Sequence, residues 1–136
     1  MYTLRNNTSG GCNTAMGLYG LCGNTTGRNN TAIGYHALSS NTCGDVNVAV
    51  GVCALKGNTT GFKNVAIGAC TLKSNTIGCR NVAIGNCAGC IITSGSQNVA
   101  VGESTLQQLT TGKNNVAIGY YTGSSLTAGS SNNIII

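Results

Sequence analysis

Apolar and polar residues alternate over eight short stretches of this chain, and seven of these stretches end at a glycine. The clearest stretch is Asn64-Val65-Ala66-Ile67-Gly68, and variants of it recur every seventeen residues. Alternation with a period of two predicts a β-strand, whereas a helix would place apolar residues every three or four positions. The pattern therefore predicts short strands separated by turns, and no helix.

The repeat extends over the whole chain. The 136 residues divide into eight segments of seventeen without a gap or an insertion, and in each segment the eighth residue is Thr, the tenth Gly and the thirteenth Asn. A unit of this length is too short to bury its own apolar face, so it must stack on its neighbours. We predict a single all-β domain, a β-solenoid with the coils 1–17, 18–34, 35–51, 52–68, 69–85, 86–102, 103–119 and 120–136.

Residues that share a position in successive coils form a column along the solenoid. Each coil should add about 4.8 Å along the axis, the spacing of paired strands, so eight coils would make a rod of roughly 38 Å. Positions thirteen to sixteen give the best strand, and we expect a second strand at positions two to five. Glycines at positions ten and seventeen are expected to supply corners with positive φ. Those at position ten are Gly10, Gly27, Gly44, Gly61, Gly78, Gly95, Gly112 and Gly129.

Leucine occupies position four in six coils, and we expect it to point into the roll beside the β-branched residues of positions fourteen and sixteen. Coils six and eight instead carry Gly89 and Gly123 there, but they also place Ile92 and Leu126 at position seven, where most coils have Asn. Loss of a buried Leu costs roughly 2–5 kcal/mol. We interpret the paired change as compensation of core volume.

Position fifteen predicts assembly with other chains. It is Ala in seven coils, and on a strand whose flanking residues face the core it would face outward. An outward column that is never large or charged indicates a strand buried on both faces. We therefore expect core and trimer packing from Ala15, Ala32, Ala49, Ala66, Ala83, Ala100, Ala117, Val65, Ile67, Val82 and Ile84.

The invariant Asn at position thirteen is expected to form a ladder of amide hydrogen bonds, as stacked Asn side chains do in other parallel β-structures. The invariant Thr at position eight is expected to satisfy backbone groups in a turn. The residues of the Asn column are Asn13, Asn30, Asn47, Asn64, Asn81, Asn98, Asn115 and Asn132.

Charged residues are few: seven basic and two acidic, with a net charge of +5. All the basic residues fall at positions five, eleven and twelve, which vary most and should face water. Lys56 and Lys73 stack as like charges on adjacent coils, as do Lys63 and Arg80. These four are candidate contacts for an anionic glycan, although we prefer the interpretation of a solvated face. Few aromatic residues and no base-reading element argue against a nucleic-acid partner.

The eight cysteines leave three interpretations open. Cys53, Cys70 and Cys87 share position two, so a ladder spacing of about 4.8 Å would place their Cα atoms within disulfide range. Cys87 and Cys90 form a C-x-x-C motif, but a zinc site normally has two such pairs. We favour packing or free thiols over a disulfide, and a disulfide over a metal site. No cofactor is predicted.

The sequence contains few residues that could act in catalysis. The only acids, Asp45 and Glu103, lie more than three coils apart, so a catalytic carboxylate pair is not expected. The only histidine, His36, shares position two with Tyr2 and Tyr19, which predicts an aromatic ladder rather than a nucleophile–base pair. We predict that the chain is not an enzyme.

The segment from Asn30 to Gly44, NTAIGYHALSSNTCG, resembles the repeat of YadA-like head domains. These occur in trimeric autotransporter adhesins, and similar repeats occur in tail and surface fibres of phages and large viruses. The resemblance implies a left-handed parallel β-roll, three chains around a common axis, and a role in display and attachment outside the cell. The seventeen-residue period is longer than the shorter repeats of the bacterial heads, which favours a viral or phage fibre.

We therefore expect a homotrimeric fibre segment that attaches to a host or other surface through a glycan or receptor. No membrane insertion is expected, and further repeats or terminal domains are expected outside this sequence. One alternative is an ice-binding solenoid, suggested by the Thr column at position eight, although position nine is irregular. Another is the non-catalytic shaft of a polysaccharide-degrading phage fibre.

Overall fold

The computed structural model describes residues 2–136; Met1, the first residue of the first predicted coil, lies outside the described residues. These residues form an all-β parallel solenoid of about seven turns, with coils of about seventeen residues and no helix. The predicted solenoid is confirmed. One strand per coil builds a single parallel sheet in chain order: β1 (Thr14–Met16), β2 (Thr31–Ile33), β3 (Val48–Val50), β4 (Val65–Ile67), β5 (Val82–Ile84), β6 (Val99–Val101), β7 (Val116–Ile118) and β8 (Ile134–Ile135).

The predicted second strand, at positions two to five, is wrong: these residues form turns. The backbone explains the difference, since positions two and four adopt positive φ, as at His36 (φ 56) and Leu38 (φ 50). An extended strand cannot include such residues. Repeated left-handed residues turn the chain sharply, which lets so short a coil close on itself.

The expected orientation of the strand is also wrong. Ala32, Ala49 and Ala66 are fully buried inside the solenoid, whereas Ile67 and Ile84 at position sixteen are each 39% exposed. The interior is narrow, because leucines at position four and asparagines at positions seven and thirteen already occupy it. From β1 to β7 the inward position fifteen therefore carries the small alanine side chain, and the larger residues of positions fourteen and sixteen point outward.

The leucine column forms the expected core. Five of its leucines, in coils two to five and coil seven, are fully buried: Leu21, Leu38, Leu55, Leu72 and Leu106. In coil six, Ile92 is fully buried, and a Cβ added at Gly89 would lie 3.0 Å from Ile92 Cδ1. Ile92 therefore fills the space left by the missing leucine, and the predicted volume compensation is confirmed for coil six. In coil eight, the three atoms nearest to a Cβ on Gly123 belong to Leu106 and Ala117, so the expected filling by Leu126 is not seen there.

Glycines at the two corners serve different purposes. Position seventeen has positive φ as predicted, for example φ 133 at Gly34. Position ten does not, and there glycine is required by close approach instead. A Cβ on Gly27 would lie 2.5 Å from both Asn24 Oδ1 and Gly44 O. Any side chain at this corner would collide with the next coil.

The last coil contains one residue more than predicted. Strand partners are seventeen residues apart from β1 to β7, but Val116 pairs with Ile134, eighteen residues away. Hydrogen bonding places the change near Thr127, because Thr110 N donates to Ala128 O over 3.0 Å where earlier coils bond to the residue seventeen positions on. The prediction of eight equal segments is therefore wrong for residues 120–136.

Two predicted column members consequently move. Asn133, not Asn132, continues the Asn column, and its Nδ2 donates to Asn115 Oδ1 over 2.8 Å. Asn132 instead has φ 63, the left-handed conformation found at position twelve of the other coils. Ser130, not Gly129, supplies the carbonyl that accepts from Asn115 Nδ2 at 2.8 Å, as position-ten glycines do elsewhere.

Candidate functional site

The outward face of the sheet is a continuous apolar surface. Positions fourteen and sixteen flank the alanine of each strand from β1 to β7 and point away from the core; Ile33 is 37% exposed and Met16 63%. We call this surface the Val/Ile face. It comprises Thr14, Met16, Thr31, Ile33, Val48, Val50, Val65, Ile67, Val82, Ile84, Val99, Val101, Val116, Ile118, Ile134 and Ile136.

Strand register keeps the Val/Ile face regular. Parallel partners align without offset, so Val65 lies between Val48 and Val82 in one column, while position sixteen forms the other. With seven steps of about 4.8 Å and a width of three residues at about 3.3 Å, the face measures roughly 34 by 10 Å. The largest apolar patch on a typical monomer covers about 300–600 Å² and is often functional, so a face of this size is a candidate interface.

The structure divides the residues predicted for trimer packing into two groups. Val65, Ile67, Val82 and Ile84 lie on the Val/Ile face, where a partner can contact them. The alanines of position fifteen line the interior instead. A second set of exposed apolar residues lies at position one, after the corner glycine, although coils six and seven carry Asn86 and Glu103 there. This set includes Leu18, Tyr35, Val52 and Tyr120.

Stacked asparagines at position thirteen hold the coils together. Asn30 Nδ2 donates to Asn13 Oδ1 at 3.2 Å and to Gly44 O at 2.8 Å, and Asn30 N donates to the same Oδ1 at 2.9 Å. Each amide thus connects three coils, and the pattern continues to Asn115. Because these side chains are buried, every satisfied amide avoids a substantial desolvation cost.

A second ladder, which the sequence reasoning missed, runs through the asparagines of position seven. Asn75 Nδ2 donates to Asn58 Oδ1 at 2.8 Å and to Gly78 O at 3.0 Å. The next residue in the column is Ile92, which has no amide, so Asn75 Oδ1 is buried without a hydrogen-bond partner. The five asparagines of this column gave the signal in the sequence: Asn7, Asn24, Asn41, Asn58 and Asn75.

The Thr column at position eight is solvent-facing and satisfies backbone groups between coils. Thr25 Oγ1 donates to Thr42 O at 2.9 Å, and Thr59 Oγ1 donates to Thr76 O at 3.0 Å. The hydroxyl hydrogens are thus directed at the neighbouring coil rather than at solvent.

The column at position two is aromatic at one end and rich in thiols beyond it. Tyr2 stacks on Tyr19 with ring centroids 5.2 Å apart, and Tyr19 stacks on His36 at 4.7 Å, which confirms the aromatic ladder. Free, half-buried cysteines occupy the next three coils at this position: Cys53, Cys70 and Cys87. Within residues 2–136, no group of three or more His, Cys, Asp or Glu side chains is placed to bind a metal ion.

The basic side chains lie outside the Val/Ile face. Lys63, Lys73 and Arg80 are exposed and Lys56 is half-exposed. The Arg80 guanidinium lies over the Phe62 ring, 5.5 Å from its centroid. These residues can offer positive charge to an anion, but nothing in their arrangement encloses one.

Residues 2–136 form no pocket, and none of them belongs to a helix that is long and apolar enough to cross a membrane. Comparison with protein-family models, curated proteins and solved structures finds no match for this chain. The class of protein is defined by the fold: a parallel β-solenoid with one exposed apolar sheet face.

Proposed function

We propose that this chain is a segment of a homotrimeric fibre, with left-handed coils, that serves display and attachment at a virion or cell surface. The Val/Ile face is the observation that carries the proposal. The partner that fits it best is another copy of the same chain, because a parallel copy repeats the same spacing of about 4.8 Å along its whole length. The resemblance to YadA-like head repeats supports three copies around one axis.

Charge favours the same arrangement. The Val/Ile face consists of uncharged residues, whereas the seven basic residues occupy other columns. Identical chains that meet through this face therefore bury no like charges in the contact. The exposed columns with Lys56, Lys73, Lys63 and Arg80 remain on the outside, where they are candidates for contact with an anionic host glycan.

The size of the face gives the scale of the driving force. Removing roughly 340 Å² of apolar surface from water contributes about 8 kcal/mol per chain at about 25 cal/mol per Å². Association costs on the order of 4–15 kcal/mol for each chain that joins. Assembly therefore depends on most of the face remaining apolar, and one charge at its centre should prevent it.

A matched pair of isoleucine substitutions tests the interface. Ile84 lies on the Val/Ile face and is 39% exposed; Ile77 lies at position nine and is 58% exposed. We expect the wild type, measured by native mass spectrometry with reductant, to have the mass of three chains. Ile84→Lys should reduce it to one chain, and Ile77→Lys should not. A monomeric wild type, or a trimer that survives Ile84→Lys, would contradict the proposal.

An ice-binding solenoid is the weaker alternative. Its support is the exposed Thr column, but there the hydroxyl hydrogens are already donated to carbonyls, at 2.9 Å for Thr25. Ile77 and Cys43 also interrupt the adjacent column at position nine. A monomer with thermal hysteresis activity would favour this alternative. A shaft role in a polysaccharide-degrading fibre predicts the same trimer, and the attachment of this segment to a catalytic domain would distinguish it.

A further inference from the structure

Two cysteines of coil six close a β-turn. Cys90 N donates to Cys87 O at 3.3 Å, and Gly89, the third residue of the turn, has φ 58. Positive φ at the third position is the mark of a type II turn, in which the first and last Cα atoms lie less than about 7 Å apart. A disulfide spans Cα distances of about 4.4–6.8 Å. The turn therefore brings the two Cα atoms within the range that a disulfide spans.

A bond along the position-two column is less suitable. Successive coils repeat almost by translation, as the 4.7 Å stacking of the Tyr19 and His36 rings in this column shows. The Cβ atoms of Cys70 and Cys87 should accordingly lie about 4.8 Å apart. A disulfide requires about 3.5–4.5 Å between Cβ atoms, so a bond between coils would distort the stack.

We propose that Cys87 and Cys90 are a dithiol site that a small-molecule disulfide, such as oxidised glutathione, converts to an intrachain disulfide. The Cys87 thiolate attacks one sulfur of the glutathione disulfide, which releases one glutathione thiolate and leaves a mixed disulfide on Cys87. Cys90 then loses its proton to solvent, and its thiolate attacks the Cys87 sulfur and displaces the second glutathione thiolate. Two protein thiols are oxidised and one glutathione disulfide is reduced.

The surroundings of the two thiols set this order. Burial raises the pKa of the Cys90 thiol, and the neighbouring Cys87 thiol raises it further. Less of Cys90 is therefore thiolate near neutral pH, which makes it the poorer initial nucleophile. Once Cys87 carries glutathione, Cys90 is the adjacent thiol in the turn that can resolve the mixed disulfide.

The bond would fix a turn that lacks its usual apolar anchor. Coil six has Gly89 where most coils have leucine, and Ile92 supplies the missing side chain from across the turn. A covalent link between Cys87 and Cys90 would hold this turn closed independently of that packing.

Tryptic mapping tests the proposal directly, because peptide 81–113 contains Cys87 and Cys90 as its only cysteines. The native protein is incubated with oxidised glutathione, blocked with N-ethylmaleimide and digested. We expect peptide 81–113 to lose two hydrogens and to take up no maleimide, while peptide 64–73, with Cys70, is alkylated. C90S should retain glutathione on Cys87, C87S should gain none on Cys90 in the same time, and C70S should behave as wild type.

Several results would overturn the proposal. One is a bond between peptides 81–113 and 64–73, which would place the disulfide along the column instead. Another is full alkylation of Cys87 and Cys90 after oxidation, which would show that the turn holds its thiols apart. Glutathione retained by C87S, but not by C90S, would reverse the assigned roles. The peptide map of the wild type tests formation of the Cys87–Cys90 bond by itself, even if a variant does not fold.

Discussion

The paired change in coil six can be reversed one residue at a time. Ile92→Asn removes a fully buried apolar side chain and opens a cavity beside Gly89. Loss of such a side chain typically costs about 2–5 kcal/mol. The new amide can donate to Asn75 Oδ1, which now lacks a partner, but its own Oδ1 then faces the apolar Leu109. We expect a net loss of about 3 kcal/mol in the free energy of unfolding.

Gly89→Leu is also expected to destabilise the protein, because it overfills the core instead of leaving a cavity. Its Cβ would lie 3.0 Å from Ile92 Cδ1 and 3.1 Å from Leu72 Cδ2, so the full side chain overfills the core. Overpacking costs about 1–3 kcal/mol. The backbone is not the obstacle, since Gly89 has φ 58 and leucines at this position in other coils have similar values, such as φ 53 at Leu106.

The double variant Gly89→Leu/Ile92→Asn recreates the usual coil. Leucine fills the cavity that the asparagine leaves, so we expect a cost of about 1 kcal/mol and a favourable coupling of about 3–5 kcal/mol between the two sites. Denaturant unfolding of all four proteins, with reductant and at one protein concentration, measures this coupling. Additive losses in the double variant would refute the compensation argument.

Three further predictions concern other parts of the solenoid. Gly27→Ala should lower the free energy of unfolding by about 3 kcal/mol or more, near the upper end for single substitutions, because its Cβ would lie 2.5 Å from Gly44 O. Gly11→Ala is the control: a Cβ there would have no atom within 4 Å, so thermal unfolding should be nearly unchanged. Deletion of Thr127 should leave the strand pairing intact, so hydrogen exchange in β8 should stay as in the wild type. The pKa of Cys90 is raised above its ordinary 9.0, so the native state retains the proton longer than the unfolded chain. The stability of the reduced protein should therefore fall as pH rises above about 9, and Cys90→Ser should flatten this decline; an unchanged slope would contradict it.

The sequence was sufficient to predict the solenoid and much of its core. The seventeen-residue period predicted the coil length. The joint occurrence of Gly89 at position four and Ile92 at position seven predicted the compensation of core volume in coil six. Alternation alone could not tell which face of the strand is inside, because a period of two is symmetrical about the sheet. Residue size decides which face of the strand points into the core. With Leu at position four, the small Ala66 side chain lies inside the coil, and the larger Val65 and Ile67 lie outside.

The register of the last coil was equally ambiguous in the sequence. Asn132 and Asn133 are adjacent, and the isoleucines that follow read as strand in either alignment. Only the pairing of Val116 with Ile134 distinguishes the two. The candidate interface was named in part, since Val65 and Ile67 were among the predicted packing residues, but their side of the sheet required the structure.

The unpaired Asn75 carbonyl has a consequence for how coils of different kinds can be ordered. Coils one to five carry Asn at position seven, whereas coils six to eight carry Ile or Leu. Every junction from an Asn coil to an apolar coil leaves one buried oxygen without a donor, at a cost on the order of 1–3 kcal/mol. Alternating the two kinds of coil would create several such junctions, whereas grouping each kind into one block creates at most one. The observed arrangement, with five Asn coils followed by three apolar coils, contains one such junction, so lengthening the rod is least costly when each new coil joins its own kind.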